Sequence, residues 1–314
     1  MHKLVTDARK HYENQHHKGG RVITTRHENR PLSELAAKPT FRFIDGVKVR
    51  FVESDPRPSD ALLLSPWPES VLAYEPTWSR LAETTHLVAI DLPGFGRSEG
   101  KDTLMSPRAM GDFVIRVTDA FHLDHPHIIG PDVGTQAALF AAATAPGHFL
   151  SFVVGSGGTA VPLQLGDPLR EWVFAPDLEP YRRLGGRPVV ERAMQTLERY
   201  AVSDAARKDY LASYEGDRFA ESMRYAQSFP SDLAVLRDAL PQIETPVLII
   251  AGRSDRVVPP VNAQYLHERL PHSELHLIDS THFVWEDAAD EYAALVSAWW
   301  AGGYKSCGKS GNTA

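Results

Sequence analysis

His127-Ile-Ile-Gly-Pro-Asp-Val-Gly-Thr135 decides how this chain is read. It opens as a short apolar strand and turns sharply between Gly130 and Gly134. It then enters the Ala-rich stretch Gln136–Ala145, which predicts a helix. Strand, tight turn, helix, with glycine two places on either side of a central residue, is the pattern of a nucleophile elbow. The glycines let a strained turn push the central side chain into the open. That side chain is Asp132. A carboxylate is a weak nucleophile towards esters and amides, but it displaces leaving groups at saturated carbon. Asp132 therefore points to strained ethers or carbon–halogen bonds. An aspartate before a helix is also a common N-cap, so the rest of the chain must supply its partners.

Such a nucleophile needs a base, and the base needs an orienting acid, in the chain order nucleophile, acid, histidine. Thr245–Ala251 reads as a strand, and Asp255 lies in the Gly252–Pro260 segment directly after it. Glu274–Ile278 reads as the next strand, followed by Ser280-Thr-His282. Both residues then sit at carboxyl ends of strands, where open parallel sheets place their sites. Alone, His282 is one of 14 histidines and Asp255 a turn residue before prolines. Their positions after the last two strands single them out. Asp279 is a rival acid, better suited to the turn, and Asp91 reads as structural.

Working outward, Phe41–Phe51 alternates around Asp45-Gly46, a hairpin signal. Ala61–Leu64, His86–Ile90 and Leu150–Val154 read as further strands, with helices near 75–83, 106–122 and 288–300. From Thr159 to Leu240 strands vanish, and Val189–Tyr200, Ala205–Tyr214 and Arg218–Ser228 read as helices. The fold class is α/β: a mostly parallel eight-stranded sheet flanked by helices, with a helical cap inserted after the sixth strand. The expected organisation is an N-terminal extension (1–38), a core (39–158 and 241–300), the cap (159–240) and a loose tail (301–314). Gly155–Gly158 reads as the hinge into the cap.

Composition narrows the function. The net charge of −7, from 33 basic and 40 acidic residues, argues against nucleic-acid binding. The longest apolar runs are strand-sized, so no membrane span is expected. The one cysteine, Cys307, builds no disulfide framework. The N-terminus lacks the apolar core of a signal peptide, and a cytoplasmic location is expected. His11, His16 and His17 lack companions at ligand spacing, so no metal is expected. No cofactor is expected either. The partner is a small electrophilic molecule, and a homodimer is the assembly left open.

On these residues the chain from about 40 to 300 resembles the α/β-hydrolases, and within them the epoxide hydrolase and haloalkane dehalogenase branch. The marks are Asp132 in the elbow, the D-x-x-G-x-G-x-S turn Asp91–Ser98, Asp255, His282, and Ser65-Pro-Trp-Pro-Glu69 in place of the H-G-x-P loop. The resemblance implies an oxyanion hole from the backbone N–H groups of Trp67 and Val133. It also implies an acid supplied by one or two cap tyrosines, with Tyr225 and Tyr181 as the candidates. Ser65 and Pro66 depart from the usual His and Gly, but Trp67 keeps its N–H. Haloalkane dehalogenases carry Trp after the nucleophile, and fluoroacetate dehalogenases Arg. Val133 is neither.

The resemblance thus implies epoxide opening through an alkyl ester on Asp132, which water activated by His282 and Asp255 then hydrolyses. On this view loss of His282 traps the ester. A haloalkane or haloacid dehalogenase using the same triad is the alternative. A weakly catalytic small-molecule-binding protein is another.

Overall fold

The computed structural model describes residues 38–307. The expected extension over 1–38, apart from Lys38, and the tail beyond Cys307 lie outside the described residues. The chain begins with β1 (Thr40–Ile44) and β2 (Val47–Glu53). Asp45 and Gly46 between them have φ of 48° and 75°. Positive φ at both positions is what a two-residue hairpin turn requires, and Asp-Gly adopts it readily. Next come β3 (Asp60–Leu64), α1 (Glu75–Leu81), β4 (His86–Ile90), α2 (Pro107–Ala120), β5 (His127–Pro131), α3 (Val133–Thr144) and β6 (Ser151–Gly155). Six helices follow: α4 (Leu169–Val173), α5 (Glu179–Leu184), α6 (Arg187–Met194), α7 (Asp204–Ser213), α8 (Arg218–Gln227) and α9 (Phe229–Ala239). The chain then returns to the sheet with β7 (Val247–Gly252), α10 (Val261–Arg269), β8 (Ser273–Ile278), α11 (Val284–Asp287) and α12 (Ala289–Trp300).

The eight strands form one sheet in the order β1-β2-β4-β3-β5-β6-β7-β8. β2 runs antiparallel to both neighbours, and every other pairing from β4 to β8 is parallel. Every residue of β5, β6 and β7 is buried, as strands covered by helices on both faces must be. From β3 the chain moves first to β4 on one side, then to β5 on the other. The loops after β3 and β5 therefore diverge and leave a crevice at the carboxyl ends of the strands. Trp67 follows β3 and Asp132 follows β5, so the topology delivers both to that crevice.

The helical stretch expected over Val189–Tyr200 ends at Met194. The reason is Asp287: its carboxylate accepts the backbone N–H groups of Glu198, Arg199 and Tyr200 at 2.7–3.0 Å. Three consecutive donors turned to one carboxylate cannot serve a helix ladder. Among the described residues no helix is long and apolar enough to cross a membrane.

Candidate active site at the elbow

Asp132 has φ 52° and ψ −120°. This region is sparsely occupied by non-glycine residues and costs of order 1–3 kcal/mol. The surroundings enforce it. Asp132 N–H donates to the Gly155 carbonyl at 2.8 Å, and Thr135 Oγ1 lies 2.9 Å from the carbonyls of both Gly130 and Gly155. A Cβ on Gly130 would lie 2.6 Å from the Gly134 carbonyl oxygen, so strand and helix approach this closely only through glycine.

The carboxylate that the turn projects is 4% exposed. Its Oδ2 accepts the Trp67 backbone N–H at 2.7 Å. Its Oδ1 lies 3.6 Å from His282 Nε2. On the other side of the ring, His282 Nδ1 meets Asp255 Oδ2 at 2.8 Å. Asp255 Oδ1 accepts the N–H groups of Val257 and Val258, each at 2.8 Å, which fixes the carboxylate in its loop. The His282 carbonyl accepts from Ser156 Oγ at 3.0 Å. Asp132, Asp255 and His282, from three distant parts of the chain, thus meet in one buried cluster.

Burial favours the neutral imidazole, but it is outweighed. Asp255 and Asp132 together push the His282 pKa up to about 10.

Of the two expected oxyanion donors, Trp67 N–H is bonded to Asp132 itself. Pro66 has not removed that donor. Val133 opens α3, the end of a helix where N–H groups lack intrahelical partners. The Trp67 ring is stacked on Phe219 of α8, with centroids 5.2 Å apart and planes at 13°, and meets Trp172 of α4 edge-on at 5.1 Å. The inserted helices thereby hold the loop that carries Trp67.

Both expected tyrosines have hydrogen-bond partners of their own. Tyr225 is fully buried, and its hydroxyl donates to the Val133 carbonyl at 2.8 Å, while burial and the nearby Asp132 charge raise its pKa. It braces the first turn of α3. Tyr181 does line the cavity over Asp132, but its hydroxyl donates to Glu171 Oε1 at 2.8 Å. Partial burial and that bond push its pKa up to about 12. Asp279 is on the surface, paired with Arg199 at 2.7 Å. Asp91 is structural: its carboxylate accepts the N–H groups of Val71 and Arg97 at 2.7 and 2.8 Å, and Arg50 lies at 3.5 Å.

The cavity above Asp132 and His282 has a volume of about 490 Å³, the size of a small-molecule site. Its walls are mostly apolar, including Trp67, Leu169, Trp172, Val189 and Phe283.

One feature escaped the sequence reading. Glu69 and Glu286 are both buried and close enough for each carboxyl to act on the other. Glu69 Oε2 also accepts Trp285 Nε1–H at 3.0 Å, and Glu286 Oε1 accepts the Tyr210 hydroxyl at 2.9 Å. Burial raises both pKa values, and two such carboxyls in contact must share a proton. Trp285 lies edge-on to His282, with centroids 6.1 Å apart. Glu286 sits four residues after His282, in α11. That spacing was the available signal.

An eight-stranded, mostly parallel sheet with an acid–histidine pair facing a residue in a strained strand-to-helix turn defines a hydrolase architecture. A model of the α/β hydrolase fold family matches residues 62–289, and the chain belongs to that family. It is 28% identical over 233 residues to a 2-hydroxymuconate semialdehyde hydrolase of Pseudomonas putida, covering 69% of this chain and 77% of that relative. Among solved structures it is similar to the epoxide hydrolase CorEH, with TM-score 0.70 and 19% identity over 84% of this chain and 99% of the other. It is also similar to an esterase from Exiguobacterium antarcticum, with TM-score 0.68 and 18% identity over 83% and 99% of the two chains. Likenesses at this identity establish the fold alone.

Proposed function

We propose that the protein opens epoxides to vicinal diols through a covalent ester on Asp132. The observation that carries this reading is a carboxylate, not a hydroxyl, on the strained turn, with His282 and Asp255 behind it and an apolar cavity in front. Asp132 attacks an epoxide carbon from the face opposite the C–O bond that breaks. The leaving oxygen takes up a proton within the cavity. Neutral His282, oriented by Asp255, then draws a proton from water, and the resulting hydroxide attacks the ester carbonyl. Trp67 N–H, which already holds Asp132 Oδ2, is placed to stabilise the oxyanion that forms there. Val133 N–H would be the second donor.

The relatives named as 2-hydroxymuconate semialdehyde hydrolases support hydrolysis in general. The side chain at the elbow argues for carbon alkylation over attack on a carbonyl. The test is a panel of styrene-like, aliphatic and terminal epoxides assayed for diol, beside a haloalkane panel assayed for halide. Turnover in water labelled with oxygen-18 is expected to place label in Asp132. Halide release without diol would transfer the reading to dehalogenation. No label in Asp132 during turnover would remove the covalent mechanism.

A further inference from the structure

The cavity over Asp132 is bordered on one side by α6. Pro188, Val189, Arg192 and Ala193 line it, with Thr196 just past the end of the helix. Residues three and four apart share a helix face, so this spacing turns the Arg192 side of α6 to the cavity. Arg192 is also exposed, and therefore stands where the cavity opens to water. Asp132 is almost wholly buried and marks the closed end.

Neighbouring arginines of the inserted helices are neutralised by acids. Arg187 pairs with Glu191 at 3.5 Å, Arg182 with Glu221 at 2.7 Å and Arg183 with Glu179 at 3.5 Å. Arg192 has no hydrogen-bond or ion-pair partner among the described residues. It is also the one arginine or lysine among the described residues that line the cavity. Two acids, Asp167 and Glu171, share that lining, and Glu171 accepts the Tyr181 hydroxyl at 2.8 Å.

A guanidinium stays charged at every working pH, and its planar set of donors matches a carboxylate. With no protein acceptor, that of Arg192 meets water until a ligand brings an anion. Asp132, Asp167 and Glu171 repel an anion elsewhere along the cavity, which leaves Arg192 as its place. Between the two ends the walls are mostly apolar, among them Leu169, Trp172 and Phe283.

We propose that the substrate is an epoxide with an apolar body and a carboxylate remote from the ring, and that Arg192 holds the carboxylate. The reacting end rests on the epoxide reading above. The anion end rests on the lining of the cavity. Arg192 takes no part in the bonds that change. It binds substrate and transition state alike, so its loss belongs in KM and not in kcat.

The experiment is steady-state kinetics with terminal epoxyalkanoates of graded chain length, such as epoxyhexanoate and epoxyundecanoate, each beside its neutral primary amide. The wild type should prefer at least one acid over its amide. Arg192→Gln should lose about fivefold or more in kcat/KM for that acid, mostly through KM, the upper range for an ion pair open to water. The amide should change by less than about twofold, and added salt should raise KM for the acid alone. Arg192→Lys should keep part of the preference, and Arg192→Glu should reverse it. Arg192 has no partner to lose, so the variants should melt as the wild type does. A lower Tm with equal losses for acid and amide would mean that Arg192 braces the inserted helices, and would overturn the proposal. So would a wild type that prefers every amide. Calorimetric binding of decanoate, which has no epoxide, separates the two readings. Diol formation with decanoate binding indifferent to Arg192→Gln would sink the anion site alone. Arg192-dependent decanoate binding without turnover of any epoxide would uphold the anion site and remove the epoxide reading.

Discussion

Asp132 combines two properties that rarely occur together: a backbone held at positive φ and a charged side chain that is almost wholly buried. Each is costly alone, and each has a local remedy. Hydrogen bonds from Asp132 N–H and around Thr135 hold the turn, and Trp67 N–H and His282 meet the charge. Asp132→Asn keeps the size and the acceptor for Trp67 N–H but removes the nucleophile. Freshly prepared protein should lose at least about 10⁴-fold in turnover, the scale seen when a hydrolase loses its nucleophile. Its circular dichroism should be unchanged. Slow return of activity, with the mass rising by one unit as the amide hydrolyses, would accord with the covalent mechanism. Full activity in protein whose mass confirms an intact amide would not.

At the scale of elements, what could be read in the sequence was what is locally encoded. Apolar runs ended by Gly or Asp gave the strands of the sheet and the turn at Asp132. The rule that open sheets use the carboxyl ends of their strands brought Asp255 and His282 to the same rim. The facing of helices was not legible, because it depends on which side of each inserted helix packs inward. Tyr225 was looked for over Asp132, yet α8 turns its hydroxyl to the first turn of α3. The Glu69–Glu286 pair was hidden for the same reason, since Trp285 and Glu69 are 216 positions apart. Tyr225→Phe should therefore act on stability and not on the acid step. Losing one buried hydrogen bond costs about 1 kcal/mol, a fall in Tm of roughly 2 °C for a chain of this size. Single-turnover alkylation should stay within about threefold of wild type. A rate loss of a hundredfold with Tm unchanged would restore Tyr225 as the acid.

At the scale of the whole molecule, three buried groups in and beside the site, Glu69, Glu286 and His282, are shifted in the same direction. Glu69 and Glu286 hold protons above the ordinary carboxylate range, and His282 holds one up to about pH 10. The unfolded chain releases the same protons near pH 4.5 and 6.5. Above those values the folded state binds more protons than the unfolded state, so stability falls as pH rises. The His282 contribution is fully present below pH 6.5 and is lost on the way to about pH 10. The carboxyl pair exacts its cost above about pH 4.5. His127, whose burial lowers its pKa to about 4, acts oppositely and limits stability on the acid side. The wild-type Tm should thus peak at mildly acidic pH and decline steadily towards pH 10. Glu286→Gln isolates the pair, because its amide can donate to Glu69 and still accept from the Tyr210 hydroxyl. Relative to wild type, the variant should gain about 2–4 °C more at pH 8 than at pH 5, the shift that 1 kcal/mol or slightly more produces in a protein of this size. Equal differences at the two pH values, measured by calorimetry, would mean that Glu69 and Glu286 do not hold the shared proton on which this pH dependence rests.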